Sequence, residues 1–166
     1  MNDQSHDPPK SLPYEELVTS LFRLFSGASS HDEVVAKIGP DKLTDISMQP
    51  QFLALNAISP LPPGHVQRSY QFKDMELGRG ILEVVFEGNA IVNVKAQLLL
   101  EGWLAKRKAK TYFREHLAGL CKGQLGQPVE EDADCCVFRP AGHVGVARYI
   151  PGTNSVSAWL TDERYA

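Results

Sequence analysis

Cysteine is scarce in this 166-residue chain, with three residues at 121, 135 and 136. An odd count, with two of the three adjacent, excludes a disulfide framework as the basis of the fold. It points to a reducing compartment. Long apolar runs are missing as well. Stretches such as Leu98-Leu99-Leu100 are far too short to span a bilayer. The opening residues, Met1 to Lys10, lack the apolar segment of a signal peptide. A cytoplasmic protein with no membrane partner is therefore expected. A basic excess is also absent. The net charge of −3 argues against a dedicated nucleic-acid binder, though not against a local basic patch. His6, His31, His65, His116 and His143 form no i,i+4 pair, and there is no C-x-x-C motif. No glycine-rich phosphate loop follows a strand and opens a helix. The expectation is neither metal nor cofactor.

What is present is an ordinary soluble composition. Hydrophobic residues make up 43% and charged residues 22%, and the length suffices to bury a core without disulfides or metals. Residues 1–11 are polar and proline-containing and are expected to be disordered. Residues 12–166 read as a single α+β domain.

Pro13 opens a helix, with Glu15 and Glu16 in its first turn and Leu17, Leu21, Leu24 and Phe25 at helical spacing. Ser30 and Glu33 have the S-x-x-E spacing of a capping box, and Gly39-Pro40 stops the short helix that follows. The proline-punctuated stretch 41–68 is harder to read. Within it Phe52-Leu53-Ala54-Leu55 is apolar enough to be buried, as a turn of helix or a strand. From Tyr70 the period becomes two. Leu82, Val84 and Phe86 share one face, as do Val92, Val94, Ala96 and Leu98. A three-residue loop at 88–90 sets Phe86 against Val92, Val84 against Val94, Leu82 against Ala96, and Glu83 against Lys95, a favourable cross-strand pair. One long helix is then expected from about Leu104 to Gly123, with Ala109, Phe113, Leu117, Leu120 and Cys121 as its apolar stripe. Cys135–Phe138 reads as a strand. Val144–Ile150 and Val156–Leu160 read as a last hairpin whose register the sequence leaves open. The expectation is an antiparallel sheet of about six strands in two meanders. N-terminal helices and one long central helix pack on one face.

The order contains an echo, helix to Gly-Pro stop to hairpin, over 30–100 and again over 104–162, read as a possible pseudo-repeat. The residues that carry it are Val35–Pro40 and Leu120–Pro128, with the hairpins after them. This pattern resembles the repeat unit of beta-lactamase inhibitor proteins and of small outer-membrane assembly lipoproteins. It also resembles several bacterial immunity proteins. The resemblance implies a non-catalytic module that binds a protein, and without a secretion signal it implies a cytosolic immunity-type inhibitor of a toxin. No functional residue carries over from these families.

The residues themselves suggest partner contacts at Glu131, Asp132, Arg148, Tyr149 and Trp159. Aromatic and arginine side chains dominate interface energetics, and carboxylates steer encounter with a basic target. One alternative is a thiol nucleophile, Cys135 or Cys136, with His143 as base and Asp134 orienting it. The plainer reading of these cysteines is packing. Another alternative is nucleic-acid binding through Lys106, Arg107, Lys108, Lys110 and Arg114, with Trp103 and Tyr112 stacking on bases. The plainer reading there is a solvated face with Trp103 tucked into the core edge.

Overall fold

The fold is seen in a computed structural model that describes residues 9–165. Helices α1 (Tyr14–Gly27) and α2 (His31–Ile38) lead into β1 (Thr44–Asp45) and α3 (Pro50–Ile58). A meander follows, β2 (His65–Asp74), β3 (Gly78–Glu87) and β4 (Ala90–Leu100). Then come α4 (Ala105–Tyr112), a π turn (Phe113–Leu117) and α5 (Ala118–Leu125). The chain closes with β5 (Glu130–Glu131), β6 (Cys135–Phe138), β7 (His143–Tyr149) and β8 (Ser155–Asp162). All strands join one antiparallel sheet in the order β1-β2-β3-β4-β8-β7-β6-β5. The two meanders meet through their last strands, with Ala96 of β4 opposite Ala158 of β8.

The α+β class and the antiparallel sheet are as expected, but two features differ. There are eight strands rather than about six. The additional ones, β1 and β5, are two-residue edge strands, too short to show alternation. The central segment is also not one long helix. It divides into α4, the π turn and α5, while Tyr112, Phe113, Leu117 and Ala118 all keep right-handed helical dihedrals. The wider turn fits the packing of the stripe Ala109-Phe113-Leu117-Cys121. In a 3.6-residue helix each four-residue step overshoots a full turn by about 40°. A wider turn absorbs the overshoot, and all four side chains are buried.

Helices α1, α4 and α5 cover one face of the sheet. Under them lie Phe72, Leu82, Val84, Val94, Leu98, Phe138 and Val156, each 1% exposed or less. Tyr14 joins α1 to the sheet seam. Its ring stacks on Phe72, and its hydroxyl donates to the Ala96 carbonyl at 2.7 Å. The start of α1 is capped from outside the helix. Tyr14 N–H donates to Oδ2 of Asp74 at 2.8 Å, while Oδ1 of the same carboxylate accepts from Glu76 N–H and Leu77 N–H in the β2–β3 turn. At α2, Ser30 Oγ accepts from Glu33 N–H as its spacing predicts, but the Glu33 carboxylate returns to Ser29 N–H rather than to Ser30.

The β3–β4 register pairs Leu82 with Ala96, Glu83 with Lys95 and Val84 with Val94. The turn differs from the expected three-residue loop. Glu87 pairs with Ala90 and Phe86 with Ile91, and a bulge takes up Val92. The bulge contributes the one extra residue assigned to the loop, so the inner register is unchanged. Of residues 1–11, expected to be disordered, 1–8 lie outside the described residues. Lys10 is tied to Asp41 by its backbone and by a 2.9 Å ion pair.

Candidate partner-binding surfaces

The sheet face opposite the helices carries a continuous row across five strands. Cross-strand pairing puts Glu83, Lys95, Trp159, Val146 and Val137 side by side. Trp159 is half-buried, with Lys95 Nζ 5.4 Å and Arg148 Cζ 5.1 Å from its ring centre, both within cation–π range. The adjacent row holds Gln97, Ser157, Arg148 and Cys135. Here Ser157 Oγ and Arg148 Nε are buried without a hydrogen-bond partner. At one end of the face a cavity of about 270 Å³ lies among Gln71, Ile81, Gln97 and Asn154.

Arg148 and Trp159 therefore stand together on this face. Tyr149 does not share it. Its side chain faces the helices, is 7% exposed, and its hydroxyl accepts from Gly152 N–H in the β7–β8 turn. Glu131 and Asp132 are exposed at the far sheet edge, and both are engaged. The Glu131 carboxylate pairs with Lys122 and accepts from Cys136 Sγ. Lys122 holds Glu131 below the usual carboxylate range. The Asp132 carboxylate accepts from Asp134 N–H at 2.8 Å.

The thiol–histidine arrangement is not brought together. Cys135 lies opposite Arg148 and Cys136 opposite Ala147, while His143 is four residues further along β7, about 13 Å away at strand rise. The His143 ring packs edge-on against Phe25 at 4.7 Å, and its Nδ1 bonds the Ala141 carbonyl. Burial pushes the Cys136 thiol up to about 11, helped by Glu131, and the Cys121 thiol up to about 12. Burial also raises Cys135. These shifts oppose thiolate formation. Among the described residues, no three His, Cys, Asp or Glu side chains gather closely enough to hold a metal ion. No helix among them is long and apolar enough to cross a membrane.

Two exposed apolar surfaces were not anticipated. The first is α3. Its segment was expected to be buried, yet no α3 residue is. Leu53, Leu55 and Ile58 are 45%, 60% and 80% exposed, with Met48 beside them at 73%. No formal charge occurs from Ile46 through Gly64. The second lies at the start of α4. Trp103 is 85% exposed rather than tucked into the core edge, and Leu104 is 46% exposed with φ of 62°. Tyr112, its proposed stacking companion, is buried beneath α4. Arg114 has left the basic cluster to bind Asp134 at 3.0 Å and the Ala133 carbonyl at 3.1 Å.

Comparison of the chain with protein-family models, with curated proteins and with solved structures returns no match.

Proposed function

We propose that this chain is a non-catalytic protein-binding module, most concretely an immunity-type inhibitor that neutralises a cognate bacterial toxin by binding it. The observation that carries the reading is α3, an uncharged and largely apolar helix with none of its residues buried. Such helices occur where something covers them. Covering Met48, Leu53, Leu55 and Ile58 contributes on the order of 5 kcal/mol of gross transfer free energy, before the costs of association. The absence of charge fits a partner surface that is apolar rather than ionic. The open face, with Trp159 between Lys95 and Arg148, is the second contact region in this reading. Glu131 and Asp132 at the sheet edge would steer encounter with a basic target.

Titration calorimetry against the product of the neighbouring gene tests this. A one-to-one complex is expected for the wild-type chain. The double substitution Leu55→Glu with Ile58→Glu should weaken it by more than about a hundredfold, since each buries a charge in an apolar contact. Thermal unfolding should be unchanged. Absence of a complex with the wild-type chain would overturn the inhibitor assignment. Full affinity in the double variant would remove α3 from the interface.

A further inference from the structure

A second surface differs from α3 in kind. The β2–β3 turn and the segment between β4 and α4 are joined by Glu101 N–H donating to the Leu77 carbonyl at 3.0 Å. The second segment presents Trp103, 85% exposed, and Leu104, 46% exposed. A groove of about 510 Å³ runs among Leu77, Trp103, Leu104, Arg107 and Lys108, with Glu76 and Glu101 also on its wall and Glu101 paired to Arg79. Leu104 takes the left-handed conformation without being glycine, an arrangement that costs about 1–3 kcal/mol and marks functional segments. Behind this tip stand Lys106, Arg107, Lys108 and Lys110, all exposed. Among the described residues none of the four forms an ion pair. Lys106, Arg107 and Lys108 at the start of α4 also oppose its dipole. The fold gains nothing from them there, nor from an indole held in water.

We propose that this surface docks on an anionic lipid bilayer, with Trp103 and Leu104 entering the interface and Lys106, Arg107, Lys108 and Lys110 meeting the headgroups. The charge complementarity is direct, since each lysine or arginine near an anionic leaflet favours binding. An indole with aliphatic neighbours beneath a basic helix face is the composition that interfacial binding uses. A nucleic acid would use the same cations. The apolar companions here are aliphatic, however, and Tyr112, the nearest other ring on α4, is buried. Leucine gains from hydrocarbon and offers no platform for base stacking. The contact is peripheral and requires no spanning helix. It is independent of the inhibitor reading and needs no protein partner to test.

The experiment is vesicle co-sedimentation of the full chain, with phosphatidylglycerol-rich and pure phosphatidylcholine vesicles compared. The Trp159→Phe variant leaves Trp103 as the sole tryptophan and reports insertion by its emission. Binding to the anionic vesicles alone is expected, with a blue shift of Trp103 and release by salt. Trp103→Ala, and Lys106→Glu with Lys110→Glu, should each lower partitioning at least about tenfold. All these side chains except Trp159 are exposed, and unchanged circular dichroism melts confirm that each variant is folded. Equal sedimentation with both vesicle types, or unshifted Trp103 emission, overturns the proposal. So does tight binding of a single-stranded oligonucleotide with no vesicle binding, which would assign the cations to nucleic acid.

Discussion

Asp74 shows how one buried carboxylate can organise two elements. It is 6% exposed, ends β2, closes the β2–β3 turn and caps α1. Asp74→Ala would leave three backbone N–H groups without their acceptor. A loss of about 2–4 kcal/mol is expected in urea denaturation, from the cap and charge-assisted bonds together. The cysteines make a second prediction. With all three thiol pKa values raised by burial, iodoacetamide at neutral pH should label none until the protein unfolds. The same shifts fix the direction of the pH dependence. The folded state holds these protons more tightly than the unfolded chain, so their contribution is fully present below the ordinary thiol range. It is lost as pH rises through about 11 for Cys136. Melts between neutral and strongly alkaline pH should show stability falling in that window.

At the scale of elements, hydrophobic period was enough for the inner β3–β4 register, which sets Glu83 opposite Lys95, although Lys95 lies over the Trp159 ring and no Glu83–Lys95 ion pair forms among the described residues. Its consequence can be measured by denaturation. Phe86, 6% exposed and part of the core, should cost about 3–5 kcal/mol as Phe86→Ala. Glu83, on the open face, should cost less than about 1 kcal/mol as Glu83→Ala. Other features were hidden in the sequence for identifiable reasons. A two-residue turn plus a bulge at Val92 gives the same inner pairing as a three-residue loop, so the pattern cannot tell them apart. The last hairpin has Arg148 opposite Ser157, and only a register of that parity puts Trp159 and Tyr149 on different faces. The π turn preserves the stripe of a regular helix and alters only its winding. For α3 and Trp103, apolar character read as burial, and no local signal separates an apolar segment that fills a core from one left in solvent.

For the whole molecule, the sheet order places α1 and the α4–α5 segment over the β4–β8 seam and leaves the other sheet face, α3 and the Trp103 tip uncovered. Charge separates these surfaces. The α3 segment carries none, the Trp103 tip is backed by four cations, and the open face holds an indole between two. On the proposed reading the fold's own stability rests on the helix-covered core, and α3 is left for a protein partner. Hydrogen–deuterium exchange of the chain alone and with the product of the neighbouring gene tests that division most directly. Residues 50–58 should exchange quickly in the free chain, since nothing covers them, and slow by at least about tenfold in the complex. Unchanged exchange across 50–58 in a complex that forms at the same concentration would contradict this division of labour between core and α3.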